Sequence, residues 1–181
     1  MRKLMIAAAA SMMILLPSCN KTYTIHGTVT DPGLEGAQIF LVPVEGPATH
    51  ETVDSVYIKD FQFTFKGTKE QMADLRIEMK KRYGTQNLLV VTEPGDIYVS
   101  IGAISSGFGT PQNDSLKVWK ELTEQKSKDM QYQMGNPDKE EAKAIRQQIY
   151  EAYKARTMEL AHNTGDSTTL GKFLNKLYPK K

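Results

Sequence analysis

Cysteine is almost absent from this chain, because Cys19 is the only one among its 181 residues. A single thiol can form neither an intramolecular disulfide nor a Cys-x-x-Cys redox pair. We therefore expect a fold that is stable without covalent cross-links. We also expect a protein that has no dithiol of its own for thiol–disulfide exchange.

Histidine is also scarce, and the three that occur, His26, His50 and His162, are far apart in the sequence. Each falls in a different predicted element: a strand, a loop and a helix end. A zinc site needs three or four clustered ligands. The pattern therefore predicts no metal site, and nothing in it indicates a cofactor.

An excess of charge of one sign is the third feature that the chain lacks. It has 23 basic and 21 acidic residues, and the two numbers become equal once Arg2 and Lys3 are removed with a leader segment. A neutral surface offers no broad positive field for a polyanion. Nucleic acid is therefore not an expected partner.

The N-terminal segment has the pattern of a secretory signal. Arg2 and Lys3 precede an apolar run over residues 4–16, which ends in the small residues before Cys19. A transmembrane span is the alternative, but it needs about 20 apolar residues. This run is shorter, so we predict that residues 1–18 are a cleaved signal peptide.

Residues 16–19, Leu-Pro-Ser-Cys, resemble the lipobox of bacterial lipoproteins. The resemblance implies that Cys19 becomes the first residue after cleavage, with a diacylglyceryl group on its sulfur and an acyl chain such as palmitate on its amine. Each buried methylene contributes about 0.8 kcal/mol, so two or three chains give a stable membrane anchor. A secreted protein with a chance cysteine is the alternative.

The location follows from this lipobox. We expect a cell-envelope lipoprotein whose membrane contact is the lipid on Cys19. Surface-exposed lipoproteins of the Bacteroides group usually carry acidic residues after the cysteine, whereas residues 20–22, Asn-Lys-Thr, have none. The periplasmic face of the outer membrane is therefore favoured.

Residues 19–104 predict a β-domain. From Tyr23 to Thr30, apolar residues or glycine alternate with polar ones, the period of a half-buried strand. Further short runs follow, separated by turn signals at residues 31–33 and 93–96. Lys59 and Asp60 predict a two-residue hairpin between two of these runs. About seven such strands indicate an antiparallel β-sandwich-like domain.

Residues 105–181 predict helices. Asn113 or Asp114 is a suitable cap for the first, and Asn136, followed by Pro137, is suitable for the second. A short third helix completes the region. The first two helices have only a weak apolar stripe over residues 123–148, which is typical of a helix pair that a partner holds or that is marginally ordered. The fold class is α+β by segregation: a β-sandwich-like domain, an α-helical hairpin and a short C-terminal helix.

Several residues could suggest chemistry, but each has a simpler explanation. Glu93 and Asp96 could form an acid–base pair, although in a Pro-Gly turn we expect both to be exposed and solvated. Ser55, Ser105 and Ser106 lack a Gly-x-Ser-x-Gly setting, while a triad assembled in space stays open. We predict no catalytic residue and no enzyme activity.

The segment at residues 107–110, Gly-Phe-Gly-Thr, lies between a predicted strand and a helix, where phosphate-binding loops also lie. It lacks the third glycine of a dinucleotide fingerprint and the Gly-Lys-Ser/Thr ending of a P-loop. A flexible connector is the favoured interpretation.

Four motifs occur in order over roughly residues 22–122: Tyr-Thr-Ile-His-Gly-Thr-Val (23–29), Phe-Gln-Phe-Thr-Phe-Lys-Gly (61–67), Thr-Glu-Pro-Gly-Asp-Ile (92–97) and Gly-Thr-Pro-Gln-Asn (109–113). Together they resemble the uncharacterised N-terminal domain that precedes thioredoxin-like domains in lipoproteins of the Bacteroides group. The resemblance implies no catalytic residue in this part. The sequence ends at Lys181 without a cysteine pair, so we expect the thioredoxin-like domain to be missing here.

Two functions remain open. The leading one is a non-catalytic envelope lipoprotein that binds a ligand or partner through the β-domain or the helices. The alternative is an accessory of a periplasmic thiol–disulfide oxidoreductase system, which would position a separate redox protein.

Overall fold

The computed structural model describes residues 21–77 and 87–179. The predicted signal peptide, residues 1–18, and the predicted lipidation residue Cys19 lie outside the described residues. Within them, two β-sheets pack together and are followed by two long helices and a short one. The predicted fold class is confirmed.

The described residues form eight strands and three α-helices. The strands are β1 (Tyr23–Val29), β2 (Gln38–Pro43), β3 (Asp54–Tyr57), β4 (Gln62–Gly67), β5 (Met72–Ile77), β6 (Leu88–Val91), β7 (Gly95–Ile101) and β8 (Ser106–Phe108). The helices are α1 (Pro111–Met134), α2 (Lys139–Thr164) and α3 (Thr169–Leu177). The eighth strand, β8, begins after residue 104, so strand pairing continues past the boundary expected from the sequence.

The strands form two four-stranded sheets. Sheet A has the order β4-β1-β7-β8 and sheet B has the order β3-β2-β5-β6. All neighbours are antiparallel except β1 and β7, which are parallel and in register from Tyr23 opposite Gly95 to Val29 opposite Ile101. Local alternation along one strand cannot reveal which strand lies beside it or in which direction, so this pair was not predicted.

The predicted hairpin at Lys59 and Asp60 is shifted and joins two sheets. β3 lies in sheet B and β4 in sheet A, and the two-residue turn is Asp60-Phe61, closed by a bridge between Lys59 and Gln62. Both turn residues have positive φ, 53° and 59°. The carboxylate of Glu35 accepts a hydrogen bond from each of their backbone N–H groups, at 2.9 and 2.8 Å. This carboxylate stabilises a backbone conformation that usually requires glycine or asparagine.

Two apolar clusters hold the molecule together. The first fills the space between the sheets, with Ile25 and Ile97 from sheet A facing Ile39 and Val90 from sheet B. The second joins sheet B to the helices and contains Met72, Val91, Leu116, Ala161, Leu170 and Leu174. Because side chains alternate along a strand, Val90 faces the sandwich and its neighbour Val91 faces the helices.

The helices begin at different residues from those expected. Thr110 is the N-cap of α1, so Asn113 and Asp114 lie inside its first turn. Asp138 caps α2 by accepting hydrogen bonds from the N–H groups of Glu140 and Glu141. Asn136, which the sequence predicts as the cap, lies two residues earlier and accepts from the N–H of Asp138. The helical hairpin itself is confirmed.

Candidate functional site

The first turn of α1 is fixed to the β-sandwich by buried polar side chains. Glu93, in the turn between β6 and β7, accepts hydrogen bonds through Oε1 from the backbone N–H groups of Gln112 at 2.6 Å and Asn113 at 3.2 Å. These N–H groups have no partner within the helix. A carboxylate at this position also interacts favourably with the positive end of the helix dipole.

The expectation that Glu93 is exposed is therefore wrong. Its relative exposure is 8%, because the residue turns towards α1 instead of solvent. Asp96, in contrast, is exposed, and its Oδ1 lies 2.8 Å from Nε2 of His26 on the adjacent strand. The two acidic residues thus have separate partners and do not form an acid–base pair.

Asn113 joins α1 to the end of β6. Its side chain donates to the carbonyl of Val91 at 2.8 Å and accepts from the N–H of Val91 at 2.9 Å. It also donates to Oγ1 of Thr110. The side-chain amide thus makes the same pair of hydrogen bonds that the backbone of a neighbouring strand would make. Asn113 is only 2% exposed.

Gln112 extends these contacts to the third helix. Its Nε2 donates to Glu70 and to Glu93, at 2.9 and 3.1 Å, and its Oε1 accepts from the backbone N–H of Leu170 at 2.9 Å. Thr169 donates to the same Glu70 carboxylate. One side chain therefore connects the β-sandwich with the starts of both α1 and α3. We call Glu70, Glu93, Gln112 and Asn113 the junction.

The glycine-rich segment at residues 107–110 serves this junction. Gly109 has a φ of +112°, and a Cβ built there would lie 2.7 Å from the carbonyl oxygen of Asp96. Its N–H donates to Asp114 at 2.8 Å. Since carboxylates occupy the amides of Gly109, Gln112 and Asn113, the segment acts as a closely packed connector.

The histidines are in three places, as expected. His26 stacks on Tyr98, with ring centroids 5.1 Å apart, and Tyr98 stacks on Phe108 across the next strand. His50 is exposed before β3, and His162 lies near Asp166 at the end of α2. Among the described residues, no three or more His, Cys, Asp or Glu side chains are grouped closely enough to hold a metal ion.

Helix α1 begins at one end of the sandwich and projects beyond the opposite end. The start of α1 lies beside Gly95 and Asp96, at the same end as Tyr23, which we call the N-terminal end. Three turns later, the ammonium group of Lys120 donates to the carbonyl of Ser105, just beyond the C-terminal end of β7. α1 then continues for 14 residues to Met134, about 21 Å further at 1.5 Å per residue.

The far end of the hairpin carries exposed apolar side chains. Tyr132 is 80% exposed and Met134 is 70% exposed. Tyr132, Pro137 and the half-buried Ile145 line a shallow depression at the loop between α1 and α2, and Met134 is the last residue of α1, directly before this loop. We call these four residues the tip. The sequence predicts a weakly apolar hairpin without distinguishing these residues, although Tyr132 and Met134 lie within three residues of the helix-ending segment 135–137.

None of the helices in the described residues has a stretch both long and apolar enough for a membrane span. The exposed residues of the hairpin are mainly charged and polar.

A family model matches the β-sandwich, and the match ends just after the junction. The model of a domain of unknown function, DUF4369, matches residues 23–116, from the start of β1 to the second turn of α1. Comparisons with curated proteins and with solved structures give no significant match. The match covers more than half of the chain and includes all four junction residues. This chain belongs to the DUF4369 family.

Proposed function

We propose that this protein is a non-catalytic envelope lipoprotein that presents the tip of its helical hairpin to a protein partner, away from the membrane that holds Cys19. The observation that carries the proposal is the placement of the N-terminal end and the tip at opposite ends of the molecule. A lipid anchor at Cys19 and a binding surface at the tip would therefore not compete for space.

The anchor side of the proposal rests on the short distance between Cys19 and β1. Only residues 20–22 separate Cys19 from Tyr23. At about 3.3 Å per extended residue, the N-terminal end would lie within roughly 10 Å of the acyl chains. The lipid on Cys19 would then restrict the sandwich to the bilayer surface.

The length of α1 gives the reach of the hairpin. Its 24 residues span about 36 Å, from the N-terminal end to the tip. The junction holds the first turn through hydrogen bonds to β6, to the loops that precede β5 and β7, and to α3. The direction of the helix is therefore set mainly by buried contacts. A rigid arm of this length would carry the tip well beyond the lipid headgroups.

The chemistry of the tip suits a protein partner. Tyrosine supplies a large, amphipathic contact surface, and methionine adapts to irregular surfaces. Tyr132 and Met134 contribute little to the fold because both are largely exposed. Their exposure is consistent with contact to a molecule other than this chain.

Lipidation is tested by mass spectrometry of the native protein. We expect an N-terminal peptide that begins at Cys19 and carries a diacylglyceryl thioether. An unmodified Cys19, or a mature start at another residue, would contradict the anchor.

The tip is tested by photo-crosslinking in intact cells. A photoreactive amino acid at position 132 should yield a discrete crosslinked species, and the double substitution Tyr132→Ala, Met134→Ala should weaken recovery of the same partner. Position 57 is the matched control, because Tyr57 is an exposed aromatic residue on the sandwich. Equal crosslinking from both positions, or none from 132, would contradict the proposal. Capture of a thiol–disulfide oxidoreductase would favour the redox-accessory function.

A further inference from the structure

A cavity of about 130 Å³ lies between the two sheet edges and α1. Its strand walls are β6, the edge of sheet B, and β8, the edge of sheet A. Leu88, Leu89 and Leu116 give it an apolar interior. An apolar cavity of about 150 Å³ holds a benzene ring, so this one accepts a group of about that size.

The polar side chains that line this cavity include three that can only donate, beside Asn87 and Ser106, which can also accept. Lys117, Trp119 and Lys120 line it. The indole Nε1 of Trp119 is buried without a hydrogen-bond partner among the described residues. The amide of Asn113, which also borders the cavity, is already paired with Val91 and Thr110. A buried donor without an acceptor is unfavourable, and a bound acceptor would remove that cost.

Lys120 adds a partly desolvated positive charge. Its ammonium group donates to the carbonyl of Ser105, while its nearest carboxylate, that of Glu124, is 3.9 Å away. Burial lowers the pKa of Lys120, and Glu124 only partly offsets this effect. A second, closer anion would stabilise the charged form.

We propose that this cavity binds a small carboxylate with an apolar body, such as an arylacetate or a short-chain fatty acid. The ring or alkyl chain lies against Leu88, Leu89 and Leu116, and the carboxylate faces Lys120 and the indole N–H of Trp119. Charge complementarity selects the acid over its neutral analogue, and the volume limits the body to about one ring. This inference is independent of the anchor and of the tip.

Trp119 provides the measurement, because it is the only tryptophan of the chain. Phenylacetate and hexanoate are titrated into the protein while its fluorescence is recorded, with 2-phenylethanol and hexanol as neutral controls. We expect a saturable change with each acid at a concentration at least tenfold below that needed for the matched alcohol. Equal response to acid and alcohol, or no saturable change with the acids, would overturn the proposal.

Substitution of Lys120 tests whether its charge is responsible for the preference for the acid. Lys120→Met keeps much of the apolar stem and removes the charge, so we expect at least tenfold weaker binding of phenylacetate and unchanged binding of the alcohol. Lys120→Arg should retain the preference for the acid. Lys128→Met, on the exposed side of the same helix, is the matched control. Unchanged phenylacetate binding by a folded Lys120→Met variant would overturn the assignment. The comparison of acid with alcohol in the unsubstituted protein tests the proposal even if that variant does not fold.

Discussion

The side chain of Asn113 forms two hydrogen bonds with the backbone of Val91, one to its carbonyl and one from its N–H. A helix residue thereby takes the place that a further strand would occupy at the end of β6. This pairing ties the direction of α1 to the register of sheet B. The hairpin is therefore attached to the sandwich by specific polar contacts as well as by the apolar cluster around Leu116.

Asn113→Ala should destabilise the protein by about 2 to 4 kcal/mol, because it removes both bonds and leaves buried backbone groups of Val91 without partners. The free energy of unfolding in urea is the measurement. Glu121→Ala, two turns later on the exposed side of α1, should change it by less than about 0.5 kcal/mol. Equal effects of the two substitutions would show that the pairing is not important for stability.

Glu93→Ala should cost about 1 to 2 kcal/mol, since it removes the carboxylate that caps two N–H groups of α1. Glu93→Gln keeps an acceptor oxygen and should cost less. Hydrogen exchange of the Gln112 and Asn113 amides should accelerate more in the alanine variant than elsewhere in α1. Unchanged protection of these amides would contradict the capping role.

Gly109→Ala should destabilise the protein by about 1 to 3 kcal/mol, because φ is +112° and the new Cβ would contact the carbonyl of Asp96. Gly135→Ala is the matched control. Gly135 has an ordinary helical φ of −83°, and its nearest contact to a new Cβ would be 3.6 Å. Thermal unfolding should show a lower Tm for the first variant and little change for the second, and similar Tm values would refute the argument.

The phenol of Tyr178 should lose its proton at a higher pH than an ordinary tyrosine. Burial, followed by the neighbouring Tyr153 and Tyr150, raises its pKa to about 12 from an ordinary value of 10.0. The folded state therefore holds this proton more tightly than the unfolded state, and its stabilising contribution is full below pH 10 and is lost as the pH rises towards about 12.

The tyrosinate absorbance of the wild type and of Tyr178→Phe gives the test. Their difference should show a single step near pH 12, and the same step should persist in Tyr57→Phe, which alters an exposed tyrosine on β3. A difference step centred near pH 10 would contradict the assignment.

The elements of the fold could be predicted from the sequence, and several of their contacts could not. Alternation from Tyr23 onwards predicts β1 because one face of that strand is buried. The parallel partner of β1 is β7, some 70 residues later, and no local pattern specifies such a pairing.

The contacts of the junction could not be predicted from the sequence for a related reason. The Pro-Gly turn around Glu93 has the composition of an exposed loop, and either Asn113 or Asp114 has a side chain suited to a helix cap. Glu93 and Asn113 are instead oriented by the packing of α1 on sheet B. The Gly-Thr-Pro-Gln-Asn motif at residues 109–113 was the available signal, since its glycine, glutamine and asparagine each make a specific contact there.

The distance of the tip from the membrane tests the central claim most directly. The lipid-modified protein is placed in vesicles that contain a headgroup acceptor dye, with a single donor dye on a cysteine substituted for Met134 or, at the N-terminal end, for Lys66. Acylated Cys19 does not compete for the label. We predict strong energy transfer from position 66 and weak transfer from position 134, about 36 Å further out. Equal transfer from the two positions would contradict an arm that points away from the membrane.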